Sequence, residues 1–304
     1  MTIPQVAIAV VALVLLSLTP RSQGASLRVP TRDTNVDDPA SRADLFSYEK
    51  KQLTRQGLHR LRSDIGVLEH ADLLSFDDGS QNTGRLLQSG ECKEFPDTSS
   101  WPILSAWQAL DKAFGGALIP TTPLAAPCFK SWSVYNTERC ATIRDSFSKP
   151  YTHENDPTST MWPLYQGRTC LPTADPNATC TLGGSPSFAV NVSTVEHVQL
   201  AVNFARNANL RLVIKNTGHC YLGKSNGAGA LSVWTHNLKE IKFIPQYKDD
   251  NYSGAAMKLG AGVTVRELYD TADHHNVTAV AGICQVRRLD TLCAIAPKLT
   301  SNRL

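Results

Sequence analysis

From residue 188 onward, short apolar strand patterns alternate with capped amphipathic helix patterns, and the spacing between them leaves room only for strands and helices packed in layers. Phe188-Ala189-Val190-Asn191-Val192 reads as a strand. Ser193-Thr194-Val195-Glu196 follows with the Ser-x-x-Glu spacing of a capping box, in which each side chain satisfies a backbone N–H that a helix start leaves free. Val195, Val198, Val202 and Ala205 then recur on one helical face, and the helix is expected to stop near Asn207 or Asn209. Residues 210–214 are the next strand. The same logic returns downstream: 230–234 and 257–259 read as strands, and Thr264-Val265-Arg266-Glu267 as a second capping box. Val265, Leu268, Tyr269 and Ala272 share its apolar face, and 278–281 is a last short strand. Both apolar faces are assigned to a core and not to a cofactor.

The rest of the chain is read around this part. With 304 residues, 42% hydrophobic and 19% charged, there is enough chain for two compact domains or one large one, which excludes disorder of the whole. Thirty basic against 27 acidic residues, with no long Lys/Arg run, exclude nucleic acid as an expected partner. The run 6–18 is apolar except for Ser17, the length of a secretory signal core, with small residues before a possible cut ahead of Ala25. A signal at 1–24 and a secreted product with no membrane attachment after cleavage are expected; an uncleaved anchor is the alternative. Sequons at Asn177, Asn191, Asn251 and Asn276 agree with that route.

Residues 25–90 form a polar, variable extension with a helical stretch at 48–61 and an apolar patch at 65–74. Residues 91–182 are rich in Cys and Pro. There Trp101 and Trp107 flank a helical pattern that ends at Gly115-Gly116, and 118–119 is a short strand before Pro120. Cys92, Cys128, Cys140, Cys170 and Cys180 read as disulfide staples of long loops; spacing gives no pairing, and an odd count leaves at least one outside these pairs.

The chemistry is concentrated between the strand 212–214 and the strand that begins at 230. Lys215-Asn216-Thr217-Gly218-His219-Cys220-Tyr221-Leu222-Gly223-Lys224-Ser225 is a small-residue turn leaving a strand, and such a turn presents consecutive N–H groups to phosphate oxygens. Gly218 and Gly223 permit close backbone approach. On these residues alone, an ordinary surface turn with an idle imidazole at His219 stays open.

This stretch, with Gly-Ala-Gly-Ala-Leu-Ser-Val-Trp-Thr-His-Asn-Leu after it, resembles the FAD-binding domain of vanillyl-alcohol-oxidase-type (PCMH-type) flavoproteins, and within them the fungal berberine-bridge-enzyme-like branch that includes isoamyl alcohol oxidase-like proteins. Trp101-Pro102, Trp107, Gly115-Gly116, Pro127-Cys128 and Gly260-Ala261-Gly262-Val263-Thr264-Val265 extend the likeness over about 92–284. The resemblance implies an α+β fold with two α/β subdomains, the FAD-binding one at 183–284. It implies FAD held covalently through His219 and cradled by Asn216, Thr217, Gly218, Cys220, Gly223 and Ser225. Ala281-Gly282-Ile283-Cys284 is similar to the family segment that supplies a second covalent link through a cysteine. A disulfide or a buried thiol is the other reading of Cys284.

An imidazolyl substituent withdraws electron density from the flavin, so hydride acceptance becomes easier while the protein positions and shields the ring. The implied activity is that of a secreted, monomeric oxidase with a small-molecule substrate (an alcohol, sugar or secondary metabolite) and dioxygen as acceptor. No catalytic base and no metal ligand are named. Family members are longer and continue from the cysteine into a glycine-rich segment. Here Cys284 is followed by Gln285-Val286-Arg287-Arg288 and no glycine occurs in 285–304, so that tail is expected to be non-native and the domain truncated. A catalytically dead secreted fragment acting as a binding module is the alternative. A Rossmann site is disfavoured because Gly260-Ala261-Gly262 lacks the third glycine, and zinc because His274 and His275 are adjacent.

Overall fold

The computed structural model describes residues 45–65, 68–76, 92–248, 252–282 and 293–297. The expected signal, the sequon at Asn251 and the segment containing Cys284 lie outside the described residues.

One sheet has the order β1-β2-β4-β3, built from β1 (Leu118–Pro120), β2 (Phe188–Asn191), β3 (Leu212–Lys215) and β4 (Leu231–Trp234). β1 runs antiparallel to β2, whereas β2 and β3 both run parallel to β4. All four residues of β4 are buried, as a central parallel strand requires. Helices α1 (Ser47–Lys50), α2 (Arg55–Ile65), α3 (Leu104–Ala113) and α6 (Val195–Asn207) supply helical surface, with α4 (Thr137–Ser146) and α5 (Pro150–Glu154) between the third and the sixth. The core of this half joins Trp107, Leu110 and Phe114 to Val190, Leu200, Phe204, Leu231 and Val233. Trp107 stacks on Phe188 with ring centroids 4.0 Å apart and lies 5.0 Å from Phe204.

The second sheet is antiparallel in the order β5-β6-β8-β7, from β5 (Ile241–Lys248), β6 (Ser253–Leu259), β7 (Val277–Ala279) and β8 (Cys293–Pro297). Helix α7 (Val265–His274) buries Val265, Leu268 and Ala272, the last two in a cluster with Met257 and Ala279. Within 285–304, for which no native element is expected, Cys293–Pro297 form β8.

Three local readings are corrected. Helix α6 is capped by Thr194 and not Ser193: its hydroxyl accepts from the N–H of His197, and Glu196 pairs with Lys51 at 3.0 Å in place of closing a box. The buried residues of α6 are His197, Leu200, Ala201, Asn203, Phe204 and Ala205, while Val202 is exposed, because the bulkier Leu200 and Phe204 at i, i+4 gain most from burial. The single stretch expected at 48–61 is two helices, since the Leu53 N–H donates to Gln199 Oε1 at 2.6 Å and the buried Leu53 breaks the run. The capping box at Thr264 and Glu267 forms as read.

Disulfides join Cys128 to Cys140 and Cys170 to Cys180, and Cys92 and Cys220 are free thiols. Asn177 and Asn276 are exposed, whereas the half-buried Asn191 accepts a hydrogen bond from Asn237 at 2.7 Å.

Candidate functional site

Strand β3 ends at Lys215, and the chain then makes a long loop, 216–230, before β4. The loop begins in a buried polar network. Asn216 donates from Nδ2 to the Ala261 carbonyl at 2.8 Å, and its Oδ1 lies 3.2 Å from His236 Nδ1. Because an amide oxygen only accepts, the proton sits on Nδ1 of His236. The Asn216 carbonyl also accepts from Trp234 Nε1 at 3.3 Å. The N–H of Asn216's neighbour across the sheet is engaged as well, with Thr235 donating to the Lys215 carbonyl at 2.8 Å. The approach of the 260–262 turn to this network is close: a Cβ on Gly262 would lie 2.3 Å from the His236 carbonyl oxygen, so only glycine fits.

Gly218 has φ +79°, and a side chain there would meet the Ser159 carbonyl oxygen at 2.9 Å and Lys215 Cε at 3.2 Å. Glycine is therefore required twice, by conformation and by space. Gly223 repeats the positive φ further along. Among the described residues, the N–H groups of Thr217, Gly218, Cys220, Tyr221 and Leu222 donate to no backbone carbonyl. Ser225 Oγ and both amide atoms of Asn226 are buried with no hydrogen-bond partner among the described residues. Buried polar groups left in this state cost free energy unless a ligand or water completes them. A run of open N–H donors ending in uncompensated hydroxyl and amide groups suits the oxygens of a diphosphate. FAD fits this donor set.

His219 is half-buried, its ring 5.0 Å from that of Tyr221, which in turn meets Trp162 edge-on at 6.0 Å. Cys220 is also half-buried, and its Sγ accepts from the Lys224 N–H at 3.3 Å. The loop thus brings together Asn216, Thr217, Gly218, His219, Cys220, Gly223 and Ser225, all the expected site residues except Cys284, which lies outside the described residues. Asn226 was not foreseen. Its signal was available: an amide directly after Ser225 in a glycine-turned loop has few ways to be buried and satisfied.

Under the loop lies a buried charged cluster. His153 Nε2 donates to the Phe147 carbonyl at 2.6 Å and its Nδ1 lies 2.7 Å from Ser159 Oγ. Asp156 accepts from the N–H groups of Thr158 and Ser159 at 2.9 and 2.7 Å. Burial pushes the Asp156 carboxyl up and the His153 imidazole down. Burial, with Lys239 and Lys215 nearby, also takes His236 from its usual 6.5 down to about 4.

A folded-state value below the unfolded one means that the unfolded chain binds the proton first on acidification. Stability contributed by neutral His236 is therefore present above pH 6.5 and lost as the pH falls from 6.5 towards 4, by at most about 3 kcal/mol. Urea unfolding at pH 7 and pH 4.5 measures this, and His236→Gln should make the loss between those two pH values smaller than in wild type. An identical loss in both proteins would remove His236 from the account.

Residues 186–285 match the FAD binding domain family. The VAO-type flavoprotein oxidase VAO615 of Thermothelomyces thermophilus is 43% identical over 198 residues, which cover 64% of this chain and 34% of that protein. The FAD-linked oxidoreductase ZEB1 of Gibberella zeae is 41% identical over 196 residues, with the same two coverages. The crystal structure of MtVAO615 from Myceliophthora thermophila superposes with a TM-score of 0.63 over 65% of this chain and 36% of that one. MtVAO713 from the same fungus gives 0.60 at 33% identity. The chain spans about a third of the length of the curated relatives it matches. Over the span that aligns, the chain has the PCMH-type FAD-binding fold, and its sequence is similar to those of VAO-type flavoproteins.

Proposed function

We propose that this chain is the FAD-binding part of a VAO-type oxidoreductase in which the cofactor is held covalently through His219. The observation that carries this is the loop 216–230 itself, in which positive-φ glycines, open N–H donors and the unpartnered Ser225 and Asn226 side chains lie in one short segment with the imidazole. FAD, when bound, supplies a hydride acceptor for an alcohol, sugar or secondary-metabolite substrate and passes the electrons to dioxygen.

The chain's own contribution is to bind and orient. The N–H groups of Thr217, Gly218, Cys220, Tyr221 and Leu222 serve the diphosphate charge, Ser225 and Asn226 complete its oxygens, and the bond from the Met161 N–H to the Gly218 carbonyl holds the turn that carries the imidazole. The Asn216 side-chain amide, donating to the Ala261 carbonyl, ties the loop to the 260–262 turn that follows β6.

Purification followed by acid precipitation and peptide mass measurement tests the link. Flavin should stay with wild-type chain after denaturation, its mass on the peptide that contains His219. His219→Ala should abolish that adduct, and any flavin that remains should map to the peptide containing Cys284. An unmodified His219 peptide from flavin-loaded wild type would refute covalent attachment at this position.

A further inference from the structure

We infer that Lys215 is the positioning residue of the FAD-binding loop, its ammonium tying the turn 216–219 to the segment 153–160 and so setting where Gly218 and His219 stand. The inference rests on the reading of this loop as the cofactor site. Strand β3 presents an inverted pattern: Ile214 is 54% exposed, while its charged neighbour Lys215 has no exposed surface at all. Lysine is almost never buried to that extent without a partner that needs it.

Its Nζ donates to the His153 carbonyl at 3.1 Å and to the Asn216 carbonyl at 3.3 Å, and it lies 5.6 Å from the centre of the Trp234 ring. One ammonium therefore bridges α5 and the first residue of the loop. Lys215 Cε and the Ser159 and Thr160 backbone together enclose the position a Gly218 side chain would occupy. On the same turn the Met161 N–H donates to the Gly218 carbonyl at 3.0 Å. The turn is thus held between two attachments to one segment.

The charged and titratable groups around Lys215 are Asp156 and Glu154, which favour its charge, and His153 and His236, whose protonated forms oppose it. Burial outweighs the carboxylates and takes the lysine from 10.5 down to about 8. A buried ammonium is expensive, and although a buried pair replaced whole by apolar side chains is often neutral for the fold, removing one partner alone leaves the others uncompensated. The benefit of keeping it is local: among the described residues the hydrogen bonds of Nζ go to this turn and to the end of α5, with the Trp234 ring 5.6 Å away.

Hydrogen exchange read by peptide mass, on purified wild type and Lys215→Met with FAD content measured beside it, tests the inference. Peptides covering 216–222 should exchange at least about tenfold faster in the variant, while those covering β2 and β4 keep their wild-type rates. FAD content should fall; because Asp156, Glu154 and two carbonyls lose their partner, the melting temperature also falls, and the contrast between the loop and β2 and β4 decides. Unchanged exchange at 216–222, or acceleration spread evenly over β2, β4 and the loop, overturns the inference.

Should Lys215→Met fail to fold, wild type decides. Loop exchange, corrected for its intrinsic pH dependence, should rise relative to β2 and β4 between about pH 7 and 9, because the lysine there loses its charge-assisted bonds. A flat ratio overturns the inference as well. Exchange that responds as expected in a wild-type chain holding no FAD would refute the cofactor reading and leave the tie at Lys215 standing.

Discussion

Gly218→Ala will lower FAD affinity about 30- to 150-fold while leaving the chain folded. The backbone at 218 sits at φ +79°, where an L-residue costs about 1–2 kcal/mol, and the new Cβ would stand 2.9 Å from a backbone carbonyl oxygen that has no freedom to swing aside. Together these come to about 2–3 kcal/mol, or 30- to 150-fold at about 1.4 kcal/mol per decade. The empty loop sheds this strain by moving; binding requires it back. The penalty therefore falls on affinity more than on fold stability. Titration with FAD in a His219→Ala background, where no covalent bond forms, with and without Gly218→Ala, followed by flavin fluorescence and thermal unfolding of the same samples, separates the two. An affinity unchanged by Gly218→Ala in that background would show that the loop is not the cofactor site.

Trp107→Ala is expected to destabilise the chain by about 3–5 kcal/mol, the range for deletion of a large buried aromatic side chain. The indole is 3% exposed, stacked on Phe188 of β2, tilted against Phe204 of α6, and donates from Nε1 to the Pro102 carbonyl at 3.1 Å. It joins α3, β2 and α6 at one point. Trp107→Phe keeps a ring and loses the donor, so about 1–2 kcal/mol is expected for it. Denaturant midpoints of the three proteins at neutral pH give the comparison, and a loss below about 1 kcal/mol in Trp107→Ala would mean that the three elements are joined elsewhere.

Where local signals were sufficient, the sequence was readable. The box at Thr264 and Glu267, the termination of α3 before Gly115-Gly116, and the small-residue loop after β3 each depend on chemistry within a few residues. The features that escaped depend on distant partners. β5 contains Pro245, which cannot donate to a ladder, and the strand survives only because its pairing with β6 shifts register between Ile244 and Tyr247. The cap of α6 moved to Thr194, its neighbour Glu196 being engaged by Lys51 from far upstream. At the site, the turn from Asn216 to Ser225 was legible from its glycines and histidine. The floor that supports it, residues 153–160, carries no motif; its role comes from three-dimensional contact with Lys215 and Gly218.

Parallel neighbours such as β3 and β4 need a crossover of roughly a dozen residues or more, commonly helical. Here the loop 216–230, the proposed FAD cradle, is itself that crossover. Its length is thus answerable to strand pairing before it is answerable to any ligand, and a deletion within 216–230 would pull apart the sheet edge along with the cradle. Divergence in what the pocket accepts is thereby channelled into point changes at fixed spacing, and insertions or losses are left to loops that carry no such double duty.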